Sequence, residues 1–97
     1  MAGIGVVATL TVAEGKNAEF EAIFSELAAQ VRANEPGNLF YTLTRSRTNG
    51  QVYRVLEAYA DQAALDAHGK TDYFRAAGPK LGPCLAGAPE IEYLDAV

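Results

Sequence analysis

The sequence predicts an α+β domain of the ferredoxin-like type, in which helices cover one face of an antiparallel sheet and the elements follow the order βαββαβ. Three observations predict this fold. Short β-rich runs alternate with amphipathic segments, Asn49 and Gly50 separate two of those runs, and the first run is apolar on both of its faces. With 97 residues, of which 49% are apolar, the chain fits one domain spanning residues 1–97.

The first two elements follow from hydrophobic periodicity. Residues 3–12 are apolar and β-branched on both parities, so we expect a strand that is covered on both sides. After a turn at residues 14–15, apolar side chains recur at helical spacing over residues 20–31, with charged residues between them. Residues 35–37, Glu-Pro-Gly, end this helix, because proline cannot continue the hydrogen-bond ladder.

A hairpin forms the middle of the chain. Residues 38–46 and 51–60 are strand-like, and Asn-Gly between such runs is the strongest short-range hairpin signal. A two-residue turn at Asn49 and Gly50 predicts that Thr42 lies opposite Glu57. One predicted face carries Asn38, Phe40, Thr42, Val55, Glu57 and Tyr59, and the other carries Tyr41, Leu43, Leu56 and Ala58.

Two helical segments and a strand complete the chain. Asp61 is a natural N-cap for a short segment that ends at His68, where Gly69 interrupts it. Thr71 caps a second segment whose Phe74, Ala77 and Leu81 share one side, and Pro79, Gly82 and Pro83 end its regularity. The alternating residues 90–97 predict the closing strand.

The second face of the sheet has no cover in this scheme. Strands one and three are apolar or aromatic at both parities, whereas one small domain offers a single helical layer. A chain of this size also buries a modest share of its surface when it folds alone. We therefore expect a homodimer in which two sheets pack face to face.

Composition excludes several classes of function. Eight Lys and Arg against twelve Asp and Glu give a net charge of −4, without the basic run that would neutralise nucleic-acid phosphates. No apolar stretch approaches the about 20 residues needed to cross a bilayer, and the N-terminus lacks the basic start of a signal peptide. One Cys and one His argue against a disulfide and a zinc site. We expect a cytoplasmic protein that binds no nucleic acid, no membrane and no metal.

His68 is the candidate catalytic base, because imidazole titrates nearest to neutrality. It lies one turn beyond Ala64 and Leu65 and shares their inward-facing side of the helix, toward a sheet rich in Tyr and Phe. A base there would accept the proton of an enol or a phenol. A histidine at a helix end also serves structurally, by hydrogen bonding to carbonyls ahead of Gly69, and the sequence leaves both interpretations open.

Two more polar residues are candidates for the site. Glu57 interrupts an apolar strand, where a carboxylate needs His68 or a ligand hydroxyl as partner, unless it faces solvent or pairs with Arg45 or Arg54. Asn38 follows a turn and either donates to a ligand oxygen or shapes the turn itself. The aromatic side chains nearby line a flat pocket or belong to the core and an interface.

Four segments resemble the antibiotic biosynthesis monooxygenase family of dimeric α+β barrel proteins, and within it the small bacterial quinol monooxygenases. The resemblance covers essentially the whole chain through IGVVATLTVAEGKNAEFEAIF, NEPGNLFYTLTRS, VYRVLEAYADQAALDAH and YFRAAGP. The most specific matches are the Glu35-x-Gly37 and Glu57-x-Tyr59-x-Asp61 signatures, together with Asn38, Tyr41, Ala64 and His68.

The resemblance implies a homodimer with a pocket in each subunit between sheet and helices. It implies oxidation of a hydroquinone or polycyclic phenol by O2 without a metal, haem or flavin cofactor. His68, Asn38 and Glu57 match the positions where the family places polar groups around the pocket, which makes them the expected catalytic residues. The expected substrate-binding residues are Tyr59 and Phe74 as walls, with Phe40 and Thr42 on the predicted face of Glu57.

Departures from the family keep other functions open. The chain has no Trp and no Asn in its first strand, which disfavours the haem degradation of some relatives. The Gly37 and Asn38 pair and the run AYADQAALDAH also resemble an autoinducer-2 phosphate-processing isomerase, in which a His and a carboxylate would move a proton between carbons. Arg54, Lys70 and Arg75 are the only plausible phosphate ligands for that reaction. A third hypothesis is a non-catalytic dimer that binds an apolar metabolite.

Overall fold

The computed structural model describes residues 3–97 and contains four strands and three helices. A single 3-10 turn, Gly82–Cys84, follows the last helix. The elements in chain order are β1 (Ile4–Thr11), α1 (Asn17–Asn34), β2 (Asn38–Arg45), β3 (Val52–Tyr59), α2 (Gln62–Gly69), α3 (Asp72–Leu81) and β4 (Glu90–Asp95).

The strands form one antiparallel sheet in the order β2-β3-β1-β4. This order is that of the ferredoxin-like split βαβ arrangement, so the predicted fold class is confirmed. The predicted helix caps are present: the Asp61 carboxylate accepts from the backbone N–H of Ala64 at 2.8 Å, and the Thr71 hydroxyl accepts from that of Phe74 at 3.3 Å. Helix α3 includes Pro79 and ends at Leu81, immediately before Gly82 and Pro83.

The predicted hairpin register is wrong by one residue. Tyr41 lies opposite Glu57 and Thr42 lies opposite Leu56. The cause is the loop, where the Ser46 hydroxyl accepts from the backbone N–H groups of Thr48 and Asn49 and the Asn49 carbonyl accepts from that of Val52, so that the closed turn has Gly50 and Gln51 at its centre instead of Asn49 and Gly50. Because side chains alternate along a strand, this shift by one residue moves every side chain of β2 to the other face of the sheet relative to β3.

The register places Phe40 and Thr42 on the face of the sheet away from the helices. Both side chains are exposed, and the predicted grouping of these two residues with Glu57 is therefore incorrect. A bulge between Asn38 and Phe40 shifts the register by one further residue. Asn38 therefore lies opposite Tyr59, on the face of the sheet that the sequence predicts for it.

The core lies between α1 and the helix-covered face of the sheet. Phe20, Phe24 and Val31 of α1 are buried together with Tyr41 and Tyr53. The ring of Phe24 stacks on that of Tyr41 with centroids 5.5 Å apart, and the rings of Phe20 and Tyr53 are 4.9 Å apart. This aromatic packing fixes the distance between helix and sheet at one end of the domain.

The opposite face of the sheet has no helical cover. Val6, Ala8 and Leu10 of β1 are buried toward the helices, whereas the alternate residues of β1 are at most half-buried. On the open face, Leu56 is 39% exposed and Leu94 is 42% exposed. Within one protomer, the prediction that β1 is covered on both faces therefore holds for one face only. In residues 3–97, no helix is long and apolar enough to pass through a bilayer.

The turn after α1 packs tightly on α2. The backbone N–H of Ala60 donates to the carbonyl of Gly37 at 2.8 Å. A β-carbon added at position 37 would lie 2.5 Å from the Cβ of Ala64, a separation that van der Waals repulsion forbids. Glycine is therefore required here for close approach, and this contact sets where the end of α1 meets α2.

Replacing Gly37 with Ala should destabilise the fold. The added methyl group must displace α2 or the turn, and such overpacking costs about 1–3 kcal/mol of unfolding free energy. The matched control is Gly69→Ala, the last residue of α2, where the new Cβ meets no atom within 4 Å and alanine should leave the stability unchanged or raise it by up to about 1 kcal/mol. Chemical denaturation of both variants checks this pair, and a Gly37→Ala protein as stable as the wild type would contradict the tight contact.

Candidate active site

A cavity of about 1040 Å³ lies between the helix-covered face of the sheet and helices α2 and α3. Its lining is predominantly apolar and includes Val6 and Ala8 of β1, Leu27 of α1, Phe74 of α3 and Ile91 of β4. The volume is at the upper end of the about 300–1,000 Å³ typical of small-molecule sites. The cavity therefore has room for a flat ligand of several fused rings.

His68 forms part of the cavity lining, although its side chain is only 4% exposed. Ala64 and His68 lie one turn apart on the side of α2 that faces the sheet. Three aromatic rings surround the imidazole: its centroid is 4.6 Å from that of Phe74 and 5.4 Å from those of Tyr41 and Tyr59. The imidazole makes no contact with helix-end carbonyls; instead, the His68 carbonyl accepts from Thr71.

The partner of the imidazole is a carboxylate. Nδ1 of His68 is 3.0 Å from Oε1 and 3.1 Å from Oε2 of Glu35, the residue that follows α1. The Tyr73 hydroxyl of α3 donates to Oε2 of the same carboxylate. Burial, together with the hydrogen bond to Glu35 and its negative charge, raises the pKa of Tyr73 to about 12, so this hydroxyl stays protonated and remains a donor.

Glu57 lies in the centre of β3 and is 8% exposed. The Tyr59 hydroxyl, two residues along and on the same face of the strand, donates to its Oε1 at 2.7 Å. Burial raises the pKa of Glu57 above its ordinary value, an effect that the hydrogen bond from Tyr59 and the nearby imidazole of His68 offset in part. A carboxyl in this setting acts as a hydrogen-bond donor over a wider pH range than an exposed one.

Two polar atoms remain for a ligand. Nε2 of His68 and Oε2 of Glu57 take part in no hydrogen bond within residues 3–97. No fully buried side-chain nitrogen or oxygen in those residues lacks a partner, so both atoms are reached from the cavity that their side chains line. The cavity thus combines an imidazole nitrogen and a carboxyl oxygen with apolar walls.

Asn38 does not join this pair. Its amide donates to the carbonyls of Phe40 at 3.1 Å and of Ala58 at 3.5 Å, across the bulge at the start of β2. Among the residues 3–97 that line the cavity, Asn38 is not included. In this protomer its side chain stabilises the sheet edge, as the turn-shaping alternative anticipated.

The four expected substrate-binding residues lie in three different places: in the cavity, behind Glu57 and on the opposite face of the sheet. Phe74 lines the cavity, and its ring packs against His68. Tyr59 is fully buried behind Glu57, where its hydroxyl orients the carboxyl. Phe40 and Thr42 lie on the opposite face of the sheet, for the reason of register given above, so within this protomer they line no part of the cavity.

Two neighbours of His68 follow from the sequence only in part. The sequence identifies Glu35 only through a family signature. Tyr41 is one of the aromatic residues that could line a pocket, and it does line the cavity, although the predicted register puts it on the face opposite Glu57. The Glu-Pro-Gly turn was the available signal for Glu35, because a carboxylate beside a sharp helix end is held close to whatever packs on that turn. Burial, and then the negative charges of Glu57 and Glu35, raises the pKa of Tyr41, so this hydroxyl stays neutral.

Charges at the cavity are few. Arg75 is the one Lys or Arg among the lining residues of the described chain, and Asp66 and Asp95 line the same cavity. Arg54 lies on the open face of the sheet, opposite Thr9. In residues 3–97, no group of three His, Cys, Asp or Glu side chains comes together in a way that could hold a metal ion. The cavity is thus better suited to an uncharged ligand than to a phosphate ester.

Comparison with known proteins identifies relatives across the whole chain. The sequence profile of the antibiotic biosynthesis monooxygenase family matches residues 3–80. A Caulobacter crescentus crystal structure that bears the same family designation is 64% identical, with a TM-score of 0.97 over 99% of this chain and 91% of that one. A conserved protein from Methanosarcina mazei is 29% identical, with a TM-score of 0.91 over 98% and 93%.

A third structure carries a more specific description. SnoaB from Streptomyces nogalater, described as a cofactor-independent oxygenase, is 26% identical, with a TM-score of 0.86 over 99% of this chain and 94% of that one. A search among curated proteins finds no match.

Replacing Glu57 with Gln should change how stability depends on pH. Because the folded-state pKa of Glu57 is raised, its protonated form stabilises the fold at low pH, and that stabilisation is lost as the pH rises through the folded-state pKa. We expect the unfolding free energy of Glu57→Gln, relative to wild type, to increase from about pH 4 to about pH 8, by about 1.4 kcal/mol per unit of pKa difference.

Urea denaturation across this pH range measures the effect. Glu26→Gln on the exposed side of α1 is the matched control, since it removes an exposed carboxyl away from both faces of the sheet. Parallel pH curves for wild type and Glu57→Gln would contradict the assignment of a raised pKa.

Proposed function

The chain belongs to the antibiotic biosynthesis monooxygenase family, and on that basis we propose that it is a cofactor-independent monooxygenase that oxidises a hydroquinone or polycyclic phenol with O2. The observation that carries this proposal is the cavity of about 1040 Å³, whose apolar walls enclose one imidazole and one buried carboxyl. A flat aromatic substrate would fill the apolar volume and place an oxygen against His68.

The first step is proton transfer. A phenol hydroxyl has an unperturbed pKa of about 10, and Nε2 of His68 is the ring nitrogen that remains when Nδ1 contacts Glu35. The O–H bond breaks, the proton moves to Nε2, and the electron pair stays on the substrate as a phenolate. A conjugated phenolate is electron-rich enough to reduce O2 directly, and this is why the reaction requires no separate redox cofactor.

The remaining steps balance without a further reductant. The substrate anion supplies the electrons, a C–O bond forms between its ring and O2, and the O–O bond then breaks. One oxygen atom stays in the product as a carbonyl or hydroxyl group, and the other leaves as water with two hydrogens from the substrate. For a naphthohydroquinone, the products are a hydroxynaphthoquinone and one molecule of water.

Glu57 has a different part in this proposal. Burial raises the pKa of Glu57, which widens the pH range in which its carboxyl is protonated, and its Oε2 faces the cavity. A neutral carboxyl donates a hydrogen bond to a second substrate oxygen and avoids the repulsion that a carboxylate would exert on the phenolate. The pair would therefore select substrates that carry two oxygen functions on one flat ring system.

The likeness to SnoaB supports a reaction without a cofactor, since that relative is described as a cofactor-independent oxygenase and matches 99% of this chain. The isomerase hypothesis keeps one supporting observation, because an imidazole and a carboxyl in one cavity can also move a proton between two carbons. Its phosphorylated substrate would meet a single arginine, Arg75, beside Asp66 and Asp95. A non-catalytic binder would use the same cavity without turnover.

We propose in addition that the protein is a homodimer that buries the open face of the sheet. Phe40, Leu56 and Leu94 lie on that face and are 51%, 39% and 42% exposed. On this face, neighbouring strands place their side chains side by side. Leu56 of β3 lies between Thr42 of β2 and Val7 of β1, and Ala58 of β3 lies between Phe40 of β2 and Gly5 of β1. A second copy offers the same apolar surface, and packing the two sheets together removes both from water.

Oxygen consumption tests the proposed reaction. We expect protein-dependent O2 uptake above the autoxidation blank with a member of a panel of naphthohydroquinones and polycyclic phenols, and one ¹⁸O atom in the product made under ¹⁸O2. His68→Ala should lower the rate by about 10²–10⁴-fold, because it removes the general base.

Lys70→Ala is the matched control, since Lys70 is exposed and ends the same helix. Absence of uptake across the panel would reject the oxygenase. Deuterium incorporation from solvent without O2 uptake would favour the isomerase.

Sedimentation equilibrium tests the dimer. The wild type should have about twice the chain mass of 10.3 kDa, and Leu56→Arg should sediment as a monomer with a lower melting temperature, because it places a charge in the centre of the apolar face. Ser25→Arg adds the same charge to the exposed side of α1 and should remain dimeric. A wild type that is monomeric at tens of micromolar would contradict this proposal.

A further inference from the structure

We propose that Glu35 is a positioning residue that holds the Nδ1 proton of His68, so that Nε2, the nitrogen facing the cavity, is the bare acceptor of the substrate proton. The catalytic consequence rests on the proposed function. The tautomer itself does not, because it follows from contacts within the protein.

The contacts indicate the direction of the hydrogen bond. Both carboxylate oxygens of Glu35 lie within 3.1 Å of Nδ1 of His68. An ionised carboxylate only accepts, whereas a neutral imidazole has one donor and one acceptor nitrogen. Nδ1 must therefore carry the proton, which leaves the lone pair on Nε2.

Tyr73 makes this arrangement specific. Its hydroxyl donates to Oε2 of Glu35, and its raised pKa keeps that hydroxyl protonated. Glu35 therefore accepts one hydrogen bond from Tyr73 and one from His68, and neither bond requires the carboxylate to carry a proton. The hydrogen bond between His68 and Glu35 is also shielded, since their side chains are only 5% and 9% exposed.

The backbone explains why Glu35 reaches His68. Glu35 ends α1, and Gly37, two residues later, packs against Ala64 so closely that no β-carbon fits. Ala64 lies one helical turn before His68 on α2. The Glu-x-Gly signature and the Ala and His of α2 therefore act as one geometric unit, in which the glycine contact brings the carboxylate to the imidazole.

Glu35 does more than stabilise the fold, because the second nitrogen of the His68 ring, Nε2, faces the cavity. Nε2 makes no hydrogen bond within residues 3–97, although the ring is nearly buried and three aromatic rings surround it. A carboxylate at Nδ1 fixes both the orientation and the tautomer of an imidazole whose second nitrogen faces a substrate site.

Nuclear magnetic resonance measures the tautomer directly. The chain contains one histidine, so two-bond ¹H–¹⁵N spectra of ¹⁵N-histidine-labelled protein show one imidazole without assignment. As the pH is raised until the ring is neutral, the wild type should show a protonated Nδ1 and a bare Nε2. A wild type with a protonated Nε2 would overturn the proposal without any variant.

Glu35→Gln should invert the tautomer. Tyr73 still donates to the amide oxygen, so the amide NH2 faces Nδ1 and donates to it, which moves the ring proton to Nε2. With the base blocked, kcat should fall roughly hundredfold with KM little changed, because the wrong tautomer cannot accept the substrate proton. Glu35→Asp, which keeps an acceptor-only group, should retain the wild-type tautomer and part of the rate.

Two controls separate the tautomer from simple damage. Tyr73→Phe removes a hydrogen bond from the same network but leaves the carboxylate, so Nδ1 should stay protonated. Glu21→Gln makes the same substitution at a carboxylate that accepts from the Tyr53 hydroxyl, away from the cavity, and should change neither tautomer nor rate. An unchanged tautomer in Glu35→Gln, or an inverted one in Tyr73→Phe, would overturn the proposal.

The experiments can reject the proposed tautomer and the proposed reaction independently of each other. If the tautomers follow the carboxylate but the wild type consumes no O2, the proposed oxygenase is rejected and the positioning of His68 stands. If the wild type is an active oxygenase whose Nε2 carries the proton, the positioning role is rejected and the oxygenase stands.

Discussion

The close packing of Gly37 on Ala64 determines the geometry of the candidate site. A β-carbon at position 37 would lie 2.5 Å from the Cβ of Ala64, so the end of α1 and the middle of α2 meet at a distance that only glycine permits. Two residues before that contact stands Glu35, and one helical turn after it stands His68. The carboxylate and the imidazole therefore meet although they are 33 positions apart in the chain.

The polar groups of the cavity are tolerated because each has a partner. Carboxyl groups and an imidazole in an apolar environment would otherwise oppose folding. Here the Tyr59 hydroxyl donates to one oxygen of Glu57, Glu35 accepts from Nδ1 of His68, and the Tyr73 hydroxyl donates to Glu35. The atoms left over, one on each residue, face the cavity. This distribution gives a ligand two polar contacts at defined positions while the rest of its surface meets apolar walls, which is the arrangement expected for binding a flat aromatic molecule.

The sheet separates two functions by face. Side chains of one parity, such as Val6 and Glu57, belong to the core and the cavity, and those of the other parity, such as Val7 and Leu56, belong to the open face. A one-residue change of register exchanges the two sets. That is why the incorrect hairpin prediction placed Phe40 and Thr42 in the site and Tyr41 outside it, even though the strands themselves were predicted within a residue or two.

The sequence by itself determined the elements that depend on local chemistry. The periodicity of α1, the caps at Asp61 and Thr71, the strand runs and their βαββαβ order all arise from neighbours a few residues apart, and the structure confirms them. It also identified His68 as an inward-facing imidazole. Only the tertiary structure decided the hairpin register, the use of Asn38 at the sheet edge, and the convergence of Glu35, Tyr73 and His68. These depend on a serine side chain that reshapes a loop and on helix contacts between distant segments, neither of which leaves a periodic signal in the sequence.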